Sequence, residues 1–202
     1  MKKLILIFIL LISKNVFSQN KQIQILAGRG TNFTGDMKGY GFSVGYNKYF
    51  KKKFKWFASI GSTIHDGTFP LFYEYPTGNK VDGSIRYTTA GFQGIYSVGY
   101  NFIKSNSNEF IFKLGGLVRY QSTSYFDNAV IIYPTITNLP IPVIVIRNRT
   151  PQKTIAIGVI PELSYNYFLN DKINIGLAGS YQFDSNGDNI AQLSLGIGYN
   201  LK

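Results

Sequence analysis

Hydrophobic and polar residues alternate with a period of two over most of this chain. In Leu193–Leu201 the odd positions are Leu193, Leu195, Ile197, Tyr199 and Leu201, and the even ones are Ser194, Gly196, Gly198 and Asn200. Lys172–Asp184 sets Ile173, Ile175, Leu177, Tyr181 and Phe183 against Asn174, Gly176, Ala178, Ser180 and Gln182. Gly39–Phe50 sets Tyr40, Phe42, Val44 and Tyr46 against Gly41, Ser43, Gly45 and Asn47. Successive side chains of a strand point to opposite faces, so each segment reads as a strand with one greasy face and one small, polar face. The same test predicts eight strands, over residues 22–33, 39–50, 54–65, 85–103, 109–124, 153–168, 172–184 and 189–201. Helical periodicity is weak throughout.

The connections alternate in length. They are short around Lys51-Lys52-Lys53, over Lys104–Asn108 and at Asn170-Asp171, and long over Asp66–Ser84 and Tyr125–Gln152. Short turns at one rim and long loops at the other are the pattern of outer-membrane barrels. A recurring phrase fits the same picture. SVGYN stands at Ser43–Asn47 and Ser97–Asn101, GIGYN at Gly196–Asn200 and ELSYN at Glu162–Asn166. Each copy lies near the end of an even-numbered strand, so an up-and-down barrel brings Tyr46, Tyr100, Tyr165 and Tyr199 to one rim. There they are expected to face outward as an aromatic girdle at a membrane–water boundary.

Composition changes this picture in two ways. Residues 1–18 read as a cleaved export signal, with Lys2 and Lys3 ahead of the apolar run Leu4–Ile12 and a small residue at Ser18. Gln19 would then begin the mature domain, 19–202. Its removal takes Lys2, Lys3 and Lys14 and lowers the formal charge from +11 to +8. With export, the basic balance points to lipid and lipopolysaccharide phosphates rather than nucleic acid. The chain has no Cys, which excludes disulfides, thiol catalysis and Cys-ligated metals.

A secreted soluble barrel would present its polar face to water, and soluble surfaces are about 25–35% charged. The small face here is mainly Gly, Ser, Thr, Asn and Gln. The greasy face carries too many rings for the interior of an eight-stranded barrel, which just accommodates its side chains. Lipid outside and small residues inside is the consistent assignment. Pro161 lies within the sixth strand and is expected to mark a bulge or an early strand end.

The last residues, with Ser194, Gly196, Tyr199 and Leu201 in register, resemble the C-terminal assembly signal of outer-membrane barrels. They depart from it in ending on Leu201-Lys202 instead of Phe. The mature chain is similar in size to the small outer-membrane β-barrel family of the OmpX and OmpA-barrel type. That resemblance implies an all-β, eight-stranded antiparallel up-and-down transmembrane barrel, delivered by the barrel-insertion machinery to the outer membrane of a Gram-negative-type bacterium.

Chemistry is sparse. His65 is the lone histidine and reads as a rim residue at a loop mouth, because Ser62 faces the other way on the strand and Gly67 stands where lipid deacylases of this fold carry a serine. Lys113, Arg119 and Glu162 fall on the lumen face, so Glu162 is expected to pair with one of the two cations and plug the interior. Asp184–Asp188 reads as a hairpin turn and lacks the downstream Glu of a calcium loop. In the longer loop, Ala129–Ile132 and Val143–Ile146 are β-branched runs able to pair as a hairpin. No cofactor is expected. The role that follows is non-enzymatic: a structural or surface-recognition barrel offering loops 66–84 and 125–152 to an extracellular ligand. A narrow porin-like channel, a lipid-modifying enzyme and a secretion-apparatus contact through Lys51-Lys52-Lys53 are the alternatives.

Overall fold

The computed structural model describes residues 21–74, 78, 80–105, 107–139, 142–147 and 152–201. The expected signal segment 1–18, Gln19 and Lys202 lie outside the described residues. Eight long antiparallel strands close into a barrel: β1 (Lys21–Asn32), β2 (Met37–Lys51), β3 (Phe54–Phe69), β6 (Ile85–Lys104), β7 (Asn108–Thr123), β10 (Lys153–Phe168), β11 (Ile173–Asp184) and β12 (Asn189–Leu201). Two small hairpins stand in the long loops. They are β4 (Phe72–Glu74) with β5 (Lys80–Asp82), and β8 (Asn128–Ile132) with β9 (Val143–Arg147), the latter joined through the helical turn α1 (Pro134–Thr137). The hairpin anticipated from the β-branched runs therefore forms. Strand β3 runs past the expected end at His65, because its ladder to β6 continues to Phe69↔Ile85.

The register fixes the shape of the tube. A path from Ile23 crosses Tyr46, Ala58, Tyr96, Gly116, Val159, Phe183 and Asn189. It meets the chain again at Phe33, the residue after β1, whose amide donates to the Asn189 carbonyl, ten residues beyond its start. That stagger tilts every strand and sets a bore that side chains alone can fill.

Pro161 sits within β10 without a bulge. Its ladder to β7 is unbroken, with Pro161 opposite Leu114. On the other side the pairing to β11 lapses at Ile160 and Pro161 and resumes in the same register at Glu162↔Ser180. The missing N–H is thus accommodated by a two-residue gap in one ladder. The bulges that do occur lie at the short-turn rim, between Tyr49 and Lys51 and between Asn101 and Ile103.

Exposure runs opposite to that of a water-soluble protein. Leu195 and Ile155 are 66% and 68% exposed on the outer wall. Gln22, Asn101, Asn174 and Arg119 are buried inside. Such a wall is at home only in hydrocarbon. Leu195→Arg should accordingly destabilise the barrel refolded in lipid vesicles by about 2–4 kcal/mol, measured by urea unfolding. A loss below about 0.5 kcal/mol, usual for a water-facing leucine, would contradict the assignment.

Candidate functional site

The lumen is organised as three charged layers stacked along the axis. At the short-turn end Glu109, the second residue of β7, is buried. Lys55 Nζ lies 2.8 Å from its Oε2, and Asn166 Nδ2 donates to the same oxygen at 3.2 Å. Asn101 Nδ2 donates to Oε1 at 2.7 Å and to the Tyr49 hydroxyl at 2.8 Å, and that hydroxyl donates to Oε1. Lys104 Nζ sits 3.8 Å from the centre of the Tyr49 ring and covers it from below. A carboxylate in a narrow bore is tolerable because an ammonium and three hydrogen-bond donors surround it.

These residues were not singled out from the sequence. Lys55 follows the basic turn Lys51-Lys52-Lys53 closely in sequence, yet it points inward from the second position of β3. Tyr49 also turns inward, and Phe50 takes the outer place. The recurring phrase held the missed signal. Its tyrosine faces out, and the asparagine after it faces in: Asn47, Asn101 and Asn166 are all buried. Asn101 and Asn166 bind Glu109, while Asn47 donates to Gln22 at 2.9 Å.

The middle layer is the pair Lys113–Glu162, 2.5 Å apart on directly registered positions of β7 and β10. Arg119 does not join it. Its register partner on β10 is Ala156, six residues above Glu162. The guanidinium instead forms the third layer, at the long-loop end. Its Nη1 lies 3.2 Å from Asp188 Oδ2 and 3.4 Å from Asp184 Oδ2, and Nη2 donates to Thr63 Oγ1 at 3.2 Å. Asn32 Nδ2 donates to Asp188 at 2.9 Å and Gln182 Nε2 to Asp184 at 3.0 Å. Gly91 leaves the room for this arginine, since a Cβ there would stand 2.2 Å from Nε. Lys55, Glu109, Asp184 and Asp188 thus join the three lumen charges expected from the sequence. Voids of about 60 and 40 Å³ remain between the layers.

His65 is fully buried in the same upper layer, so it is a lumen residue and not a rim residue. Neither ring nitrogen has a hydrogen-bond partner among the described residues. Ser62 stands on the outer face, and Asp66, one residue on, accepts from Thr88 Oγ1 at 2.5 Å. Among the described residues His65 makes no hydrogen bond to a hydroxyl or a carboxylate. Asp184–Asp188 folds as a hairpin turn, with the amides of Asn186 and Asp188 donating to Asp184 Oδ1, and both carboxylates serve Arg119. Among the described residues no group of three His, Asp or Glu could hold a metal ion.

Of the four girdle tyrosines, Tyr165 and Tyr199 are exposed, and Tyr46 and Tyr100 are half-buried by ring neighbours. Tyr46 packs on Trp56 at 5.3 Å, and Tyr100 on Phe54 and Phe102 at 5.2 Å each. The Tyr165 hydroxyl donates to Asn108 Oδ1. In the C-terminal motif Ser194 and Gly196 face inward and Tyr199 outward, while Leu201 is the last residue paired to β1, opposite Lys21. Gly196 has no room for a side chain, because a Cβ would lie 2.7 Å from the Ile25 carbonyl oxygen.

Above the third layer the loop bases form an aromatic roof. Phe126 is buried against Phe69 at 5.3 Å and stacked on Tyr125 at 5.1 Å, and Tyr125 meets Tyr87 at 4.7 Å. In the shorter loop the Gly83 amide donates to the Leu71 carbonyl, and Asp82 accepts from the Ser84 amide. Hydrogen bonds from Ser84 hold the Asp82 carboxyl below its ordinary range. The tips are open: Phe72 is 71% and Ile136 75% exposed, and Val130, Tyr133, Leu139 and Ile146 are exposed too.

Glu109→Leu strands the Lys55 ammonium in the bore and should destabilise the barrel by about 3–5 kcal/mol. Adding Lys55→Met should recover most of that loss in urea titrations. A double variant no better than the single would contradict the pairing.

No protein-family model and no curated protein matches the sequence. Solved structures do match in fold. Neisserial surface protein A has a TM-score of 0.54 at 10% identity, over 93% of this chain and 100% of that chain. Ail, the attachment invasion locus protein of Yersinia pestis, solved with the heparin analogue sucrose octasulfate, scores 0.52 at 12% identity, over 91% and 97%. The outer membrane protein OprG of Pseudomonas aeruginosa scores 0.51 at 12% identity, over 91% and 97%. The chain has the fold of the small eight-stranded outer-membrane barrels.

Proposed function

We propose that this chain is a non-enzymatic barrel of the outer membrane, exported by way of residues 1–18, whose role is to present loops 66–84 and 125–152 to ligands outside the cell. The lumen carries this reading. Among the described residues its three ion-paired layers and aromatic roof fill the bore apart from voids of about 60 and 40 Å³, which argues against the porin-like alternative. The lack of any hydrogen bond from His65 to a hydroxyl among the described residues argues against lipid-modifying chemistry. What remains on offer is the loop surface.

Its chemistry suits a protein ligand. The β8–β9 hairpin is a two-stranded sheet with aliphatic side chains, and among the described residues no further strand pairs with its edges. A partner strand can add to such an edge, with side chains alternating into contact. The similarity in fold to a protein named for attachment and invasion is consistent with surface recognition. Assembly would use the C-terminal motif at Ser194, Gly196, Tyr199 and Leu201 as the handle for the insertion machinery. The Lys51-Lys52-Lys53 turn would then face the periplasm.

Two measurements test the reading. Wild-type protein in planar bilayers should give no steady conductance, and reproducible single-channel steps would overturn the closed-lumen role. Cells displaying the wild-type chain should adhere to partner cell surfaces several-fold better than cells displaying a barrel with residues 128–147 replaced by a short turn. Equal adhesion at equal surface amounts would remove the loops as the binding element.

A further inference from the structure

One cation on the outer wall is out of place. The outward residues of β1 are Ile23, Ile25, Ala27, Arg29 and Thr31, with Phe33 exposed just beyond the strand. Arg29 therefore stands within the apolar belt. Its registered neighbours, Tyr40 on β2 and Leu193 on β12, are themselves exposed to the hydrocarbon. Among the described residues no hydrogen bond or ion pair reaches its guanidinium. An ionised side chain facing lipid without a counter-charge is unfavourable, and residues of that kind mark functional positions.

The wall beside Arg29 is hollowed. Gly179 and Ala191, diagonal neighbours on β11 and β12, are small outward residues. Leu163, Tyr181 and Leu193 rise around them and border a shallow, open depression that also reaches Arg29 and Lys38, with the Lys113-paired Glu162 at its far side. Lys38 is the diagonal neighbour of Arg29 across β1 and β2, about 7–8 Å away between Cα atoms. Lys38 shares its register position with Asp66, whose carboxylate is engaged by Thr88. Arg29 has no acidic residue at its own register positions on either side.

We propose that this depression binds a phosphorylated glycolipid of the lipid A type, with an acyl chain along Gly179 and Ala191 and a phosphate on Arg29, reinforced by Lys38. The lipid supplies what the protein lacks: an anion at the arginine and hydrocarbon in the hollow. A guanidinium takes phosphate through two parallel N–H···O bonds. The assignment to the outer leaflet rests on the reading under Proposed function, since Arg29 and Lys38 stand toward the ends of β1 and β2 that lie away from the Lys51-Lys52-Lys53 turn.

The test uses the folded full barrel in detergent and native mass spectrometry. Probes are bisphosphorylated lipid A, its dephosphorylated form and phosphatidylglycerol. Wild type should retain bisphosphorylated lipid A at least tenfold better than either of the other two. Arg29→Leu, which makes the wall more apolar and leaves the fold undisturbed, should lose at least tenfold of that retention. Lys38→Gln should lose a smaller part, and Arg29→Lys should keep an intermediate level. Retention unchanged in Arg29→Leu, or equal for the dephosphorylated lipid, would overturn the phosphate site. Equal retention of phosphatidylglycerol would overturn the choice of glycolipid. A barrel lacking residues 128–147 should bind lipid A as the wild type does, so failure of the loop role and failure of this site are separate outcomes.

Discussion

The wall of this molecule can exist only because it has no edge. Hydrocarbon offers backbone amides nothing to bind, so every strand must be flanked on both sides, and the first must return to the last. Twelve registered pairs between β1 and β12 complete that circuit. Closure with a ten-residue stagger fixes the bore, and the bore dictates the rest of the interior. It is too narrow for stacked rings and too wide to leave empty. Long polar side chains fill it, and their charges must be matched within it. The ion-paired layers follow from the geometry of closure.

This chain of constraint explains what was legible in the sequence. A wall with lipid on one side and packed polar groups on the other imposes a period of two, and Leu193–Leu201 displays it openly. Connection lengths separated the two rims for the same reason: turns that hold adjacent strands are short wherever nothing else is asked of them. The tyrosine of the recurring phrase was readable because it sits on the greasy face, where its position along the strand sets its depth.

The lumen was less legible, because its contacts depend on register and on parity near the rims. Lys113 and Glu162 meet because their strands place them side by side. Arg119, on the same face of the same strand, is offset from Glu162 by six residues of β10, about 20 Å of strand, and no pattern within either segment reveals that offset. Lys55 was hidden by its neighbours Lys51, Lys52 and Lys53, with a bulge between Tyr49 and Lys51 altering the count through the turn. Glu109 is the first residue of the predicted strand 109–124, and nothing within that segment reveals the partners it gathers from four other strands. Pro161 looked like an interruption, yet a ladder lapse on one side was enough to absorb it.

The two end layers differ from the middle one in what they join. Lys113–Glu162 ties adjacent strands, whereas Arg119 reaches from β7 to β3 and to the turn between β11 and β12, and Asp188 carries the link on to β1. Glu109 likewise gathers residues of β2, β3, β6 and β10. Both mouths of the tube are therefore cross-braced through the centre. Lateral pressure that squeezes the ring toward an ellipse must stretch those ties, so the cylinder keeps a round section at each end. The hairpins rest on a stiff mount, and any pull on them is spread around the circumference.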